Sequence, residues 1–111
     1  MKVTVIHTAF EDTPKVVATV EAPHAVVEEA LEFAYRWTQN IMDSWSKKMP
    51  ADGNPAVTVE ADLHVDANGD VWGLRSTAMR DQMIVDGRRF EVDMIGFKEV
   101  DTRQNDAILV V

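Results

Sequence analysis

At 111 residues, 46% hydrophobic and 27% charged, the chain is long enough to close one hydrophobic core, too short for two, and too apolar for general disorder. Nineteen acidic residues against eleven basic ones leave a net charge of -8, which argues against a general binder of nucleic acid or anionic membrane, since both need a basic surface. The absence of cysteine excludes disulfides and thiolate metal sites.

These bounds predict a single α+β domain over residues 1–111. No apolar run approaches the ~20 residues that span a bilayer, and MKVTVIHTAFEDTPK lacks the apolar core and cleavage site of a signal peptide. A cytoplasmic protein with no membrane partner and no direct nucleic-acid contact is the expectation. The acidity leaves room for a basic protein partner or for mimicry of nucleic acid.

Lys2 to Thr8 alternates as a strand, and KVVATVE from Lys15 to Glu21 reads as a second, β-branched strand. The intervening FEDTP supplies turn residues, with Pro14 opening the second strand, so the two form a hairpin. From Pro23 the period changes. Val27, Ala30, Leu31, Ala34, Trp37, Ile41 and Trp45 recur at three- and four-residue steps, with Glu28, Glu29, Glu32, Arg36 and Gln39 between them. This predicts one long amphipathic helix near residues 25–47, with Leu31, Ala34, Trp37, Ile41 and Trp45 buried and MPADGNP as its stop. Phe33, Tyr35 and Met42 fall off that stripe and widen its apolar surface.

Val57 to Val65 alternates strictly with Thr58, Glu60, Asp62, His64 and Asp66, predicting one half-buried strand. Asp66-Ala67-Asn68-Gly69-Asp70 turns the chain into Val71-Trp72-Gly73-Leu74. Met83-Ile84-Val85 then ends at Asp86-Gly87, a dipeptide suited to a two-residue hairpin, and Arg88-Arg89-Phe90 begins the return strand. Ala107 to Val111 is a candidate edge strand. The fold expected is an antiparallel β-sheet meander with the long helix packed on one face. The wide apolar helix surface and the uncovered second sheet face predict a symmetric homo-oligomer.

No motif assigns catalysis. There is no nucleophile elbow, phosphate-binding loop or dinucleotide fingerprint. His7, His24 and His64 stand far apart, and in Asp66-Asn68-Asp70 the glycine comes fourth, not sixth as a calcium loop requires. No catalytic residue, metal or cofactor is assigned. Glu28, Glu29 and Glu32 read either as a solvated helix face or as a row of phosphate-like charges. Four of the six arginines, Arg75, Arg80, Arg88 and Arg89, lie between Val71 and Phe97. Among them Arg75-Ser76-Thr77, at the end of VWGL, is a candidate anion site, because a guanidinium binds phosphate bidentately and two adjacent hydroxyls can donate to it. The structural alternative pairs Arg75 with a local aspartate, Asp81 or Asp86, and uses a hydroxyl as a cap.

ALEFAYRWTQNIMDSW, NPAVTVE and WGLRSTAMRDQMIVDGRRFEVDMIGF resemble a family of small bacteriophage accessory proteins in which a long helix precedes a strand and an Arg-Ser-Thr turn followed by Gly-Asp. The likeness covers Ala30 to Phe97 and departs at Met79-Arg80-Asp81. The chain is also similar to phage anti-defence proteins that sequester cyclic-nucleotide immune signals, such as anti-Thoeris proteins. That similarity implies a non-enzymatic sponge for a small phosphorylated nucleotide in the host cytoplasm. Arg75, Ser76 and Thr77 would be its phosphate contacts, and Trp72, Trp45 and Asn54 its candidate base or ribose contacts. The competing expectation is an acidic inhibitor, or DNA mimic, that covers a basic host defence protein.

Overall fold

The computed structural model describes residues 1–100. In chain order the elements are β1 (Lys2–His7), β2 (Lys15–Glu21), α1 (Val27–Arg36), β3 (Val57–Val59), β4 (His64–Val65), β5 (Val71–Trp72), β6 (Gln82–Val85), β7 (Arg88–Val92) and β8 (Phe97–Val100). Six strands form one sheet in the order β3-β2-β1-β6-β7-β8, antiparallel throughout, while β4 and β5 form a separate two-stranded ribbon. The fold is α+β. The expected final strand at Ala107–Val111 lies outside the described residues.

Alternation decides which face is the core. Val3 lies opposite Val20 and Val85, and Val5 opposite Ala18 and Met83, with Phe90 beyond Met83. All are buried, and α1 adds Ala30, Leu31 and Ala34 where it lies against β1 and β6. Each large aliphatic side chain so covered contributes about 1.5–3 kcal/mol. On the other face Thr4, Thr19 and Thr58 form a polar row. That row continues through Ile84 to Arg89, which is buried and donates to Gln82 Oε1.

The helix is short, ending at Arg36 rather than near residue 47. Its apolar period does continue, but the residues that follow are poor helix formers with local alternatives for their backbone groups. The Thr38 hydroxyl bonds back to Ala34 O at 2.8 Å, and Asn40 Oδ1 accepts the Trp45 amide. The buried Asp52 carboxylate accepts the amides of Ile41, Met42 and Asp43, holding a loop where the helix was expected to continue. Leu31, Ala34 and Trp45 are buried as expected. Ile41 is not: it is 59% exposed on that loop. Trp37 is half-buried, with the Arg36 guanidinium 4.1 Å above its ring.

The strand expected from Val57 to Val65 is two pieces. A register shift between β1 and β2 leaves Val17 as a bulge, and β3 pairing ends there with Glu60 N donating to Val17 O. The chain then leaves the sheet to build β4. The Asp86-Gly87 hairpin forms as its letters imply, with φ of 53° and 72° at the two turn positions. A second tight turn, at Asp93–Gly96, returns the chain into β8, which pairs with β7.

Candidate functional site

Arg75, Ser76 and Thr77 lie on the connection from β5 to β6, and the chain's own groups occupy all three. Arg75 Nε and Nη2 donate to Glu11 Oε2 and Oε1 at 3.1 and 2.8 Å. Nη1 and Nη2 donate to Asp81 Oδ2 and Oδ1 at 2.7 and 2.8 Å, and Nη1 also donates to Ser76 O. A guanidinium has five N–H donors, and these five bonds use them all. The Phe10 ring closes one flat side, its centroid 4.9 Å from the guanidinium carbon. An external phosphate reaches this cation only by displacing Glu11 or Asp81.

Asp81 is the hub of the arrangement. It is fully buried, and besides Arg75 its carboxylate accepts the amides of Thr8, Ala9 and Ala78. Burial pushes its pKa up, but the guanidinium and three amides outweigh that and hold it below the usual carboxylate range. Glu11 is likewise lowered, chiefly by its bonds to Arg75. The same contacts raise Arg75 further above the ordinary arginine range, Asp81 contributing most. The two carboxylates thus fasten the loop after β1 to the turn before β6.

Ser76 Oγ accepts the Asn40 amide at 2.8 Å. Thr77 Oγ1 sits 2.7 Å from Thr38 Oγ1 and 3.0 Å from His7 Nε2, while its carbonyl accepts from Gln39 Nε2. These contacts tie β1 to the loop that replaces the end of the expected helix. His7, Thr77 and Asp81 are the residue types of a nucleophilic triad, but the geometry differs from one. The same ring atom, His7 Nε2, faces both Thr77 and Asp81, the latter at 3.9 Å, and all three residues are buried. His7 is kept neutral, its pKa lowered to about 4 mainly by burial, against the opposing pull of Asp81.

Of the expected base and ribose contacts, Trp45 bonds to this turn, but from within the core, while Trp72 and Asn54 bond elsewhere. Trp45 is fully buried, its Nε1 donating to Arg75 O, so its ring is part of the core and presents no stacking face to solvent. Trp72 is 62% exposed on the β4–β5 ribbon, with Nε1 bonded to Asp66 Oδ2. Asn54 shapes its own loop, its side chain accepting the Ala56 amide and its carbonyl accepting from Lys48. Asp66 Oδ1 accepts the amides of Asn68 and Asp70, a turn-forming role for the letters that resembled a calcium loop. The remaining cations of the arginine-rich stretch are dispersed. Arg88 pairs with Glu99 at 2.8 Å, and Arg89 is buried on the second sheet face.

One surface feature had no clear sequence signal. Between α1 and the β7–β8 hairpin lie two hollows of about 250 and 290 Å³ that share Phe97 as a common wall. The first is bordered by Glu32 and Asp93, the second by Glu28 and by Arg88, which is paired with Glu99. At the adjoining turn Met94 and Ile95 are 82% and 90% exposed. An apolar pair at a turn tip is legible in hindsight, because DMIG carries two large hydrophobic residues where polar ones are usual.

No family model, characterised protein or solved structure matches this chain. Among the described residues no helix is long and apolar enough to cross a membrane, and no cluster of metal-ligating side chains forms.

Proposed function

We propose that the chain is a non-enzymatic, acidic binding protein that works by covering a basic surface on a partner protein. The observation that carries this reading is the sorting of charge. The cation once expected to hold an anion is consumed internally by Glu11 and Asp81, whereas Glu28, Glu29 and Glu32 on α1 and Asp93 near its carboxyl-terminal half are exposed and enter no ion pair with another described residue. Exposed, unpaired carboxylates on an acidic chain favour encounter with a basic partner and repel nucleic acid. The resemblance to phage accessory and anti-defence proteins supports a bacterial defence protein as that partner. Sequestration of a phosphorylated nucleotide has less support, since every donor of Arg75 is already used.

Two measurements made together test this. Melting curves are recorded with a panel of cyclic and linear nucleotides, and the protein is used as bait in a bacterial lysate beside a Glu28→Lys, Glu29→Lys, Glu32→Lys variant. The expected result is no nucleotide-dependent rise in Tm and a basic protein retained by the wild type but lost by the variant. A saturable rise in Tm with a nucleotide would return the sponge reading to first place.

A further inference from the structure

We infer that the two hollows between α1 and the β7–β8 hairpin form one docking groove for a basic, amphipathic helix of the partner protein. The proposal rests on the basic-partner reading and gives it a location. Val27, Leu31 and Tyr35 recur every four residues on α1, so one helical stripe faces both hollows. Phe97 stands between them, its ring 6.2 Å from that of Tyr35 in an edge-on arrangement that fixes both. Each hollow falls below the size of a pocket for a drug-sized ligand. Together they suit two apolar side chains presented side by side.

Charge identifies the occupant. Glu28 and Glu32 are one turn apart on the same flank of α1, about 6 Å along the axis, and Asp93 lies across the hollow from Glu32. A partner helix with apolar residues at i and i+4 repeats at that same spacing. Arg88 also lines the second hollow, but its charge is paired with Glu99, so the rim is acidic on balance. Flanking lysines or arginines of the partner would meet it favourably, and an acidic helix would be repelled. Met94 and Ile95 extend the apolar surface beyond the hollows. Their turn is held by Asp93 N donating to Gly96 O and by Met94 N donating to Asp93 Oδ1, so these side chains are presented on an ordered support. Exposed apolar residues beside an acidic rim have the anatomy of a protein interface, with an apolar centre and a charged edge.

The test uses two synthetic 14-residue peptides of identical helical leucine pattern, one with lysine and one with glutamate at the remaining positions. Each is titrated into isotopically labelled full chain and followed by NMR. The lysine peptide should shift the amides of α1 and of β7–β8, with binding weakened by added salt, and the glutamate peptide should not. Glu28→Gln with Glu32→Gln, both at exposed positions, should weaken binding about three- to tenfold while leaving the melting curve in place. Ile95→Ser should weaken it as well. Absence of lysine-peptide binding, or shifts centred on the β4–β5 ribbon or the Thr4–Thr19–Thr58 row, would overturn the groove. If a basic protein is still captured in a way that charge inversion abolishes, the groove alone is wrong. If nothing basic is captured either, the functional reading fails with it.

Discussion

Arg75→Ala separates the structural and ligand-binding roles of this residue by their effects on stability. Removing the guanidinium leaves Asp81 fully buried with its charge unpaired, a class of change that costs about 3–5 kcal/mol. The amides of Thr8, Ala9 and Ala78 still donate to that carboxylate, which places the expectation near the lower end, about 3 kcal/mol. Glu11 adds little, because its pair with Arg75 is about a quarter exposed on both sides and such pairs contribute about 1 kcal/mol or less. For a domain of this size the total corresponds to a fall in Tm on the order of 15 °C. Urea and thermal melts of Arg75→Ala, Asp81→Asn, Glu11→Gln and the pairwise double variants measure it. The Arg75–Asp81 cycle should show strong coupling and the Arg75–Glu11 cycle weak coupling. A Tm for Arg75→Ala within a few degrees of wild type would refute this reasoning, most sharply if a nucleotide that binds the wild type were lost.

Acid should destabilise the fold through His7 before the carboxylates titrate. Its folded pKa of about 4 lies below the unfolded value of 6.5, so the unfolded chain takes up a proton between those limits that the folded chain does not; stability falls as pH drops from 6.5 toward 4, by about 3 kcal/mol, and levels off for this group below that. His7→Gln should flatten that part of the pH–stability profile, and an unchanged slope would show that His7 is not its source. Trp45→Ala should cost about 3–5 kcal/mol, whereas Ile41→Ala, on the exposed loop, should stay within about 0.5 kcal/mol in the same melts. Equal effects would mean that the expected long helix forms after all. Gly87→Ala places a side chain at φ 72°, where no neighbour crowds it but the backbone is strained, and should cost roughly 1–2 kcal/mol. A neutral result in denaturant titration would argue against the two-residue turn.

Local signals in the sequence survived into the fold, and those that depended on distant partners did not. The strand pattern of Lys2–His7 and Lys15–Glu21 and the Asp86-Gly87 turn each carry their own geometry, since alternation and positive φ are properties of a few adjacent residues. The end of α1 was hidden because it is set partly by Asp52, which holds the amides of residues 41–43 from a later loop. β8 was hidden because FKEV does not alternate cleanly. Its Lys98 and Glu99 face Glu91 and Arg88 across the hairpin, and that pairing appears only once the turn at Gly96 is made.

The same distinction bears on the arginine-rich stretch. An arginine retained in a chain of charge -8 reads as a cation awaiting an anion only while its partners are unknown. Asp81, six residues on, was visible as one candidate, but Glu11 is 64 residues away and nothing in either segment announces the other. Once both are in place, the positive charge is spent on joining the first hairpin to the β5–β6 connection. The surface that the proposed function would use is then negative and apolar, the carboxylates of α1 beside Phe97, Met94 and Ile95. On the proposed reading, a surface of that kind would select by repulsion as well as attraction, disfavouring nucleic acid and acidic proteins and leaving apolar fit to choose among basic ones. Raising the salt should therefore slow association with a true partner more than it speeds dissociation, because the rim charges act mainly on encounter and the buried apolar anchors on residence.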